Sequence, residues 1–230
     1  MSAPLYLKQL LVGPMANYVY LIGDPETREC AVVDAAWDVD AIVETAEADG
    51  YRITHDLVTH FHPDHLGGEL MGHQIIGAAE LTARVEAKVV IHKAELPFIK
   101  RLTGLGASDV TAVEGGDEIR VGAIPITLLH TPGHTPGSQC FLVGGSVVSG
   151  DTLFIGSCGR VDLPGSNAED MYRSLTGVLA ALPDETLLLP GHAYAERSTS
   201  TIGEEKRSNM TMRFPSLKDF LSVMSPLRPS

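Results

Sequence analysis

Between Val121 and Gly150 the chain runs for thirty residues without one formally charged side chain. Such a stretch must leave water, and the two hosts available to it are a bilayer and a protein core. Pro125, Pro132 and Pro136 fall inside it together with six glycines, which no continuous membrane helix would carry. Buried strands joined by loops are therefore expected, over 124–130, 139–143 and 146–150, with a preceding strand over 117–121.

The rest of the chain repeats this theme. Segments 5–12, 17–23 and 29–35 are rich in β-branched and aromatic residues and are punctuated by Gly13-Pro14 and Asp24-Pro25, as strands are. Asp38 predicts the N-cap of a helix running to about Asp49, with Gly50 as its stop. A strand over 55–60 follows, then helical spacing over 75–86, a strand over 88–92 and a short helix over 94–102. After the uncharged stretch come a helix over 168–181 and a strand over 185–191. Similar material in each half, with strands apolar on both faces, predicts an α/β fold in four layers. This is an αββα sandwich of two mixed β-sheets flanked by helices. No linker, repeat or low-complexity segment divides 1–230, so one domain is expected, with a short helical tail at about 200–225.

A composition of 44% apolar and 20% charged residues fits a globular chain with an ample core. The formal charge of −12 argues against nucleic-acid and anionic-membrane partners, which need basic surfaces to replace counterions. Cys30, Cys140 and Cys158 are odd in number and lack C-x-x-C spacing, which predicts free thiols in a reducing compartment. The N-terminus lacks a basic region followed by an apolar core and a small-residue cleavage site, so a cytoplasmic location is expected. The oligomeric state stays open, a homodimer included.

The chemistry concentrates in "THFHPDHLGG", residues 59–68, at the mouth of a buried strand. In an extended segment His60 and His62 can point the same way, while Asp64 and His65 sit around a turn set by Pro63. Two adjacent groups of donors would result. One short loop cannot complete such sites, so distant ligands are needed. His134 in "TPGHTPGS", Asp151 in "SGDTLF" and His192 in "LPGHAY" each follow a strand and are flanked by glycine, which lets the backbone approach a centre closely. Each alone would more often be a turn residue; together they favour one shared site. His55, His73, His92 and His130 lie outside these motifs and are expected to be structural.

These motifs, in order and at their spacing, resemble those of the metallo-β-lactamase-fold hydrolases over essentially the whole chain. The resemblance implies that His60, His62 and His134 hold one metal, that Asp64, His65 and His192 hold a second, and that Asp151 bridges them. A divalent ion lowers the pKa of bound water to about 7, which supplies hydroxide at neutral pH. Asp64 can then also serve catalysis by taking a proton or orienting the nucleophile. Two divalent ions are expected, zinc by default, with iron as the rival, since imidazole and carboxylate suit both.

Segment 150–166, "GDTLFIGSCGRVDLPGS", is similar to the glyoxalase II-like branch, which hydrolyses glutathione thioesters, and to the persulfide dioxygenases, which use one iron. "STIGEEKRSN" (200–209) and the tyrosine of "PGHAY" lean to the second, "GRVDLPG" and "HFHPDHLGG" to the first. Glyoxalase II enzymes carry a sizeable C-terminal helical region that helps to bind glutathione, for which the 38 residues after His192 are few. The expectation is a metallo-hydrolase acting on a small-molecule thioester, glutathione-linked or not, or on a related ester. Persulfide dioxygenase is the alternative, and a lactonase a further one. Arg160 and Tyr194 are the candidates for binding substrate, with an ion pair to Asp162 as the other reading of Arg160.

Overall fold

The computed structural model describes residues 4–106 and 108–225. Its frame is two six-stranded sheets. In the first, Tyr6–Val12, Asn17–Asp24 and Glu29–Val33 run antiparallel, and Arg52–Leu57, Lys88–His92 and Val110–Val113 continue parallel to the third strand. In the second, Glu118–Val121, Ile124–His130, Gln139–Val143 and Ser146–Gly150 form an antiparallel series. Leu187–Pro190 then adds parallel to Ser146–Gly150, and Ser200–Thr201 closes the edge. Both sheets are mixed.

Period-two alternation explains why these strands read as unbroken apolar runs. Tyr20, Ile22, Ala31 and Val33 face the second sheet and pack with Leu128, Phe141 and Val148. Their neighbours Val19, Leu21, Cys30 and Val32 face outward onto Ile42, Val43 and Ala46 of the helix Val39–Ala48. On the far side Cys140, Val147 and Leu188 pack against Met171, Leu175, Ile202 and Phe220. The layers are therefore helix, sheet, sheet, helix, as expected from the sequence. Asp38 caps the first helix, its carboxylate accepting from Ala41 N at 3.0 Å. Among the described residues no helix is long and apolar enough to cross a membrane.

Several expected boundaries shift, each for a tertiary reason. The strand expected over 55–60 is Arg52–Leu57, because parallel pairing with Lys88–His92 stops at Leu57 opposite Val90. Thr59 N instead donates to Asp34 Oδ1 at 2.7 Å, so the histidine segment is a loop. The helix expected over 75–86 is Ala78–Arg84. Residues 73–75 pair with 68–70 in a hairpin, and Glu80 caps Gly77 N at 2.8 Å. The helix over 168–181 is continuous but changes pitch, with a π turn at Ser174–Val178 and a 3₁₀ turn at Leu179–Ala181. Features without an expectation include the edge strands Val110–Val113 and Ser200–Thr201 and the hairpin of Leu153–Phe154 with Ser157–Cys158.

Candidate metal centre

Strand ends of both sheets converge on one spot. His60 and His62 lie in the loop after Arg52–Leu57, and Asp64 and His65 on the one-turn helix Pro63–Leu66, whose first position is Pro63. His134 follows Ile124–His130, Asp151 follows Ser146–Gly150, and His192 follows Leu187–Pro190. Glycine permits the approach. Gly150 has φ +48°, and a Cβ there would sit 2.6 Å from Thr59 Oγ1. At Gly191 a Cβ would sit 2.7 Å from Asp151 Oδ1.

All seven donors expected from the sequence come together. His62 Nδ1 lies 3.1 Å from His60 Nε2 and 2.9 Å from His134 Nε2. In a second group His65 Nε2 is 3.1 Å from His192 Nε2, with Asp64 Oδ2 at 3.3 and 3.5 Å from the two nitrogens. Asp151 faces both groups, with Oδ1 3.3 Å from His65 Nε2 and from His192 Nε2 and Oδ2 3.5 Å from His134 Nε2. Donor atoms about 2.0–2.1 Å from a shared ion are themselves about 2.9–3.4 Å apart, so these spacings are those of a coordination shell.

The surroundings of the donors say the same. His60 Nδ1 lies 3.0 Å from Thr59 Oγ1, His65 Nδ1 2.9 Å from Asp34 Oδ2, His134 Nδ1 2.8 Å from Arg160 O and His192 Nδ1 3.0 Å from Met15 O. Carboxylate and carbonyl oxygens only accept, so those ring nitrogens carry the protons. Thr59 Oγ1 spends its own proton on Asp34 Oδ2 at 2.7 Å, which makes His60 Nδ1 a donor too. The imidazoles of His60, His134 and His192 thus aim an Nε2 lone pair at the cluster, and that of His65 does so once an ion replaces its second proton, as ligands must. His62 differs in aiming Nδ1.

Electrostatics supports a cation at this point. Burial, reinforced by the neighbouring imidazoles, holds His60 well below its ordinary pKa and His62 at about 4, so both are neutral and able to ligate. Burial opposes ionisation of Asp64 and Asp151, yet the attraction of His65 outweighs it and both stay ionised below the usual carboxylate range. Burial also opposes charge on His65, but Asp64, Asp151 and Asp34 together hold it well above the usual histidine value. Asp151 Oδ1 is buried without a hydrogen-bond partner, an expense that a coordinated ion would remove. The residues present therefore fit divalent metal.

Three buried residues escaped the sequence reading. Asp34, at φ +58°, accepts from Thr59 N and Thr59 Oγ1 and from His65. Asn17 Nδ2 donates to Asp64 Oδ2 at 3.0 Å, and its own Oδ1 accepts from Trp37 Nε1 at 3.0 Å. Glu95 spans two ligand loops, with Oε2 accepting from Phe61 N at 2.8 Å and Oε1 from Thr135 Oγ1 at 3.0 Å and from Gly137 N. Asp34 alone left a local sign, since it ends a strand as Asp151 does.

Beside the donors opens a cavity of about 640 Å³. Both candidate substrate residues reach it. Tyr194 stacks on His192, with ring centroids 4.6 Å apart and 7° between planes. The Arg160 guanidinium is exposed and doubly bound to Asp162, Nε to Oδ1 at 2.8 Å and Nη2 to Oδ2 at 2.9 Å. Cys158 also lines the cavity, but burial pushes its thiol up to about 11, so it is no thiolate near neutral pH. The hairpin carrying Phe154 and Cys158 is held from the tail. Asn209 Nδ2 donates to Phe154 O and Ser157 O, each at 3.1 Å, and Gly156 N donates to Glu205 Oε2 at 2.8 Å. His92 and His130 stack on each other at 3.9 Å, outside the donor groups.

Known proteins resemble this chain along much of their length. The bovine mitochondrial persulfide dioxygenase ETHE1 is 30% identical over 98% of this chain and 83% of its own. The cytoplasmic hydroxyacylglutathione hydrolase of Arabidopsis thaliana is 36% identical over 79% of this chain and 66% of its own. The crystal structure of ETHE1 from Myxococcus xanthus superimposes with a TM-score of 0.83 at 35% identity, covering 98% of this chain and 92% of that one. The description of the metallo-beta-lactamase superfamily matches residues 12–192, a span that holds all seven donors from His60 to His192. With its fold, its cluster and this match agreeing, the chain belongs to the metallo-beta-lactamase superfamily.

Proposed function

We propose that this protein is a metal-dependent hydrolase of small thioesters. The observation that carries the reading is the pairing of two donor triads across one carboxylate, Asp151. His60, His62 and His134 would hold one ion, Asp64, His65 and His192 a second, and Asp151 would face both. Zinc is the first expectation and iron the second. When bound, such ions polarise a carbonyl and bring water to a pKa of about 7. The chain supplies the rest. Asn17 fixes Asp64 Oδ2, and the attraction of His65 keeps that carboxylate ionised and able to orient a water. Asp34 and Thr59 hold the imidazoles in the ligating tautomer. Tyr194 and Arg160 border the space where a substrate would lie. In the net reaction water adds to the acyl carbon, the C–S bond breaks, and the thiol leaves with a proton.

A second reading, oxidation of a persulfide, is favoured by the extent of the likeness to the two ETHE1 proteins. One experiment separates them. The purified protein is analysed for zinc and iron, then given a thioester panel and, separately, glutathione persulfide with oxygen uptake recorded. Two ions per chain and thioester cleavage are expected. One iron per chain with oxygen uptake and no cleavage would establish the second reading instead.

A further inference from the structure

Away from the donor cluster, the cavity offers a ligand almost no charge. Arg160 is the one Lys or Arg on its wall among the described residues, and Asp162 takes two of its five N–H groups. Apart from Ser157 and Cys158 the rest of the wall is mainly apolar, with Met15, Leu70, Met71, Phe154, Leu163 and Tyr194 as its large side chains. Three of these stand unusually open for large apolar side chains: Met71 is 91%, Tyr194 58% and Met15 37% exposed. Large apolar groups gathered at one rim mark a binding surface, and methionine adapts to varied aliphatic shapes. The chain also carries a formal charge of −12, so its long-range field does not draw anions in.

We propose that the substrate's thiol half is uncharged and its body apolar, so that the cavity excludes a glutathione-type carrier. This rests on the thioester-hydrolase reading above. A glutathione conjugate brings two carboxylates; Arg160 can meet at most one of them, and the other enters a wall with no second Lys or Arg and forfeits its hydration. A neutral alkyl thioester loses nothing of that kind and buries its chain against Met71, Leu70 and Phe154. Its carbonyl is the one polar group, and it meets the donor cluster.

The test measures binding with ligands that cannot react. The metal-loaded full chain is titrated calorimetrically with two thioethers carrying the same hexyl group, S-hexyl-N-acetylcysteamine and S-hexylglutathione. The neutral thioether should bind at least about tenfold more tightly, the penalty of one unpaired carboxylate. Shortening hexyl to butyl should weaken it by up to about fourfold per methylene. Met71→Glu, at an exposed position, should weaken the neutral ligand several-fold without altering metal content. Equal or tighter binding of S-hexylglutathione overturns the proposal, and so does binding of neither. If the preference holds while no thioester is cleaved, the reaction assignment fails and the ligand class stands.

Discussion

Replacing Asp34 by asparagine should loosen metal from the site although Asp34 touches no position where metal would sit. Its Oδ1 accepts from Thr59 N at 2.7 Å, and its Oδ2 accepts from Thr59 Oγ1 at 2.7 Å and from His65 Nδ1 at 2.9 Å. In Asp34→Asn the amide oxygen must stay opposite the Thr59 N–H, since two donors cannot face each other. The NH₂ then stands where Oδ2 stood and donates toward Thr59 Oγ1 and His65 Nδ1. His65 must give up its Nδ1 proton and keep the one on Nε2. The Thr59 hydroxyl, now an acceptor from the amide, turns its proton to His60 Nδ1, and His60 moves its proton inward as well. Two of the inward lone pairs are lost until the rings return to the Nδ1–H tautomer.

Partners of this kind are worth about 10–100-fold in metal affinity, or about 1.4–2.7 kcal/mol. Competition against a chromophoric chelator measures the change. The positions of the imidazole protons, read from long-range ¹H–¹⁵N correlations of the metal-free protein, show whether the tautomers moved. A folded Asp34→Asn protein with unchanged metal affinity and Nδ1-protonated His60 and His65 would refute the reasoning.

Other perturbations test other parts of the frame. Burial pushes the Glu95 carboxyl up from 4.5 to about 7, against the pull of its three donors. The folded state then holds that proton more tightly than the unfolded one. The contribution is complete below about pH 4.5 and is lost as pH rises through 7, a change of about 3 kcal/mol. Urea unfolding of wild type and Glu95→Gln should show their difference shrinking across that window; a difference that grows with pH would mean that the donors win. At Gly191, alanine would place a Cβ 2.7 Å from Asp151 Oδ1 and 2.9 Å from Gly150 C, so Gly191→Ala should cost about 1–3 kcal/mol and release metal. By contrast, Gly177 lies in a helical turn with nothing within 4 Å of a built Cβ. Gly177→Ala should therefore raise stability by about 0.5–1 kcal/mol, seen as a higher Tm.

His60, His62, Asp64, His65, His134, Asp151 and His192 were legible because each is a donor side chain just past an apolar strand, either in the dense cluster around Pro63 or directly after a glycine. The four-layer arrangement was legible for a similar reason, since Val19 to Ile22 and Cys30 to Val33 are apolar on alternate faces and must be covered twice. The end of Arg52–Leu57, the hairpin over 68–75 and the edge strand Val110–Val113 depend on which partner strand lies alongside, and no local pattern states that. Asn17 and Glu95 read as ordinary polar residues, and Asp34 as a mere strand end, until packing brings them to partners 31 to 47 positions away. Arg160 could serve a substrate or a neighbour, and folding supplied Asp162 as the neighbour. Residue type and its immediate flanks decided which side chains could bind metal, because coordination chemistry belongs to the side chain itself. Their tautomers and charges, and the shape of the space beside them, were set by contacts between distant segments, and those exist only once the two sheets have closed on each other.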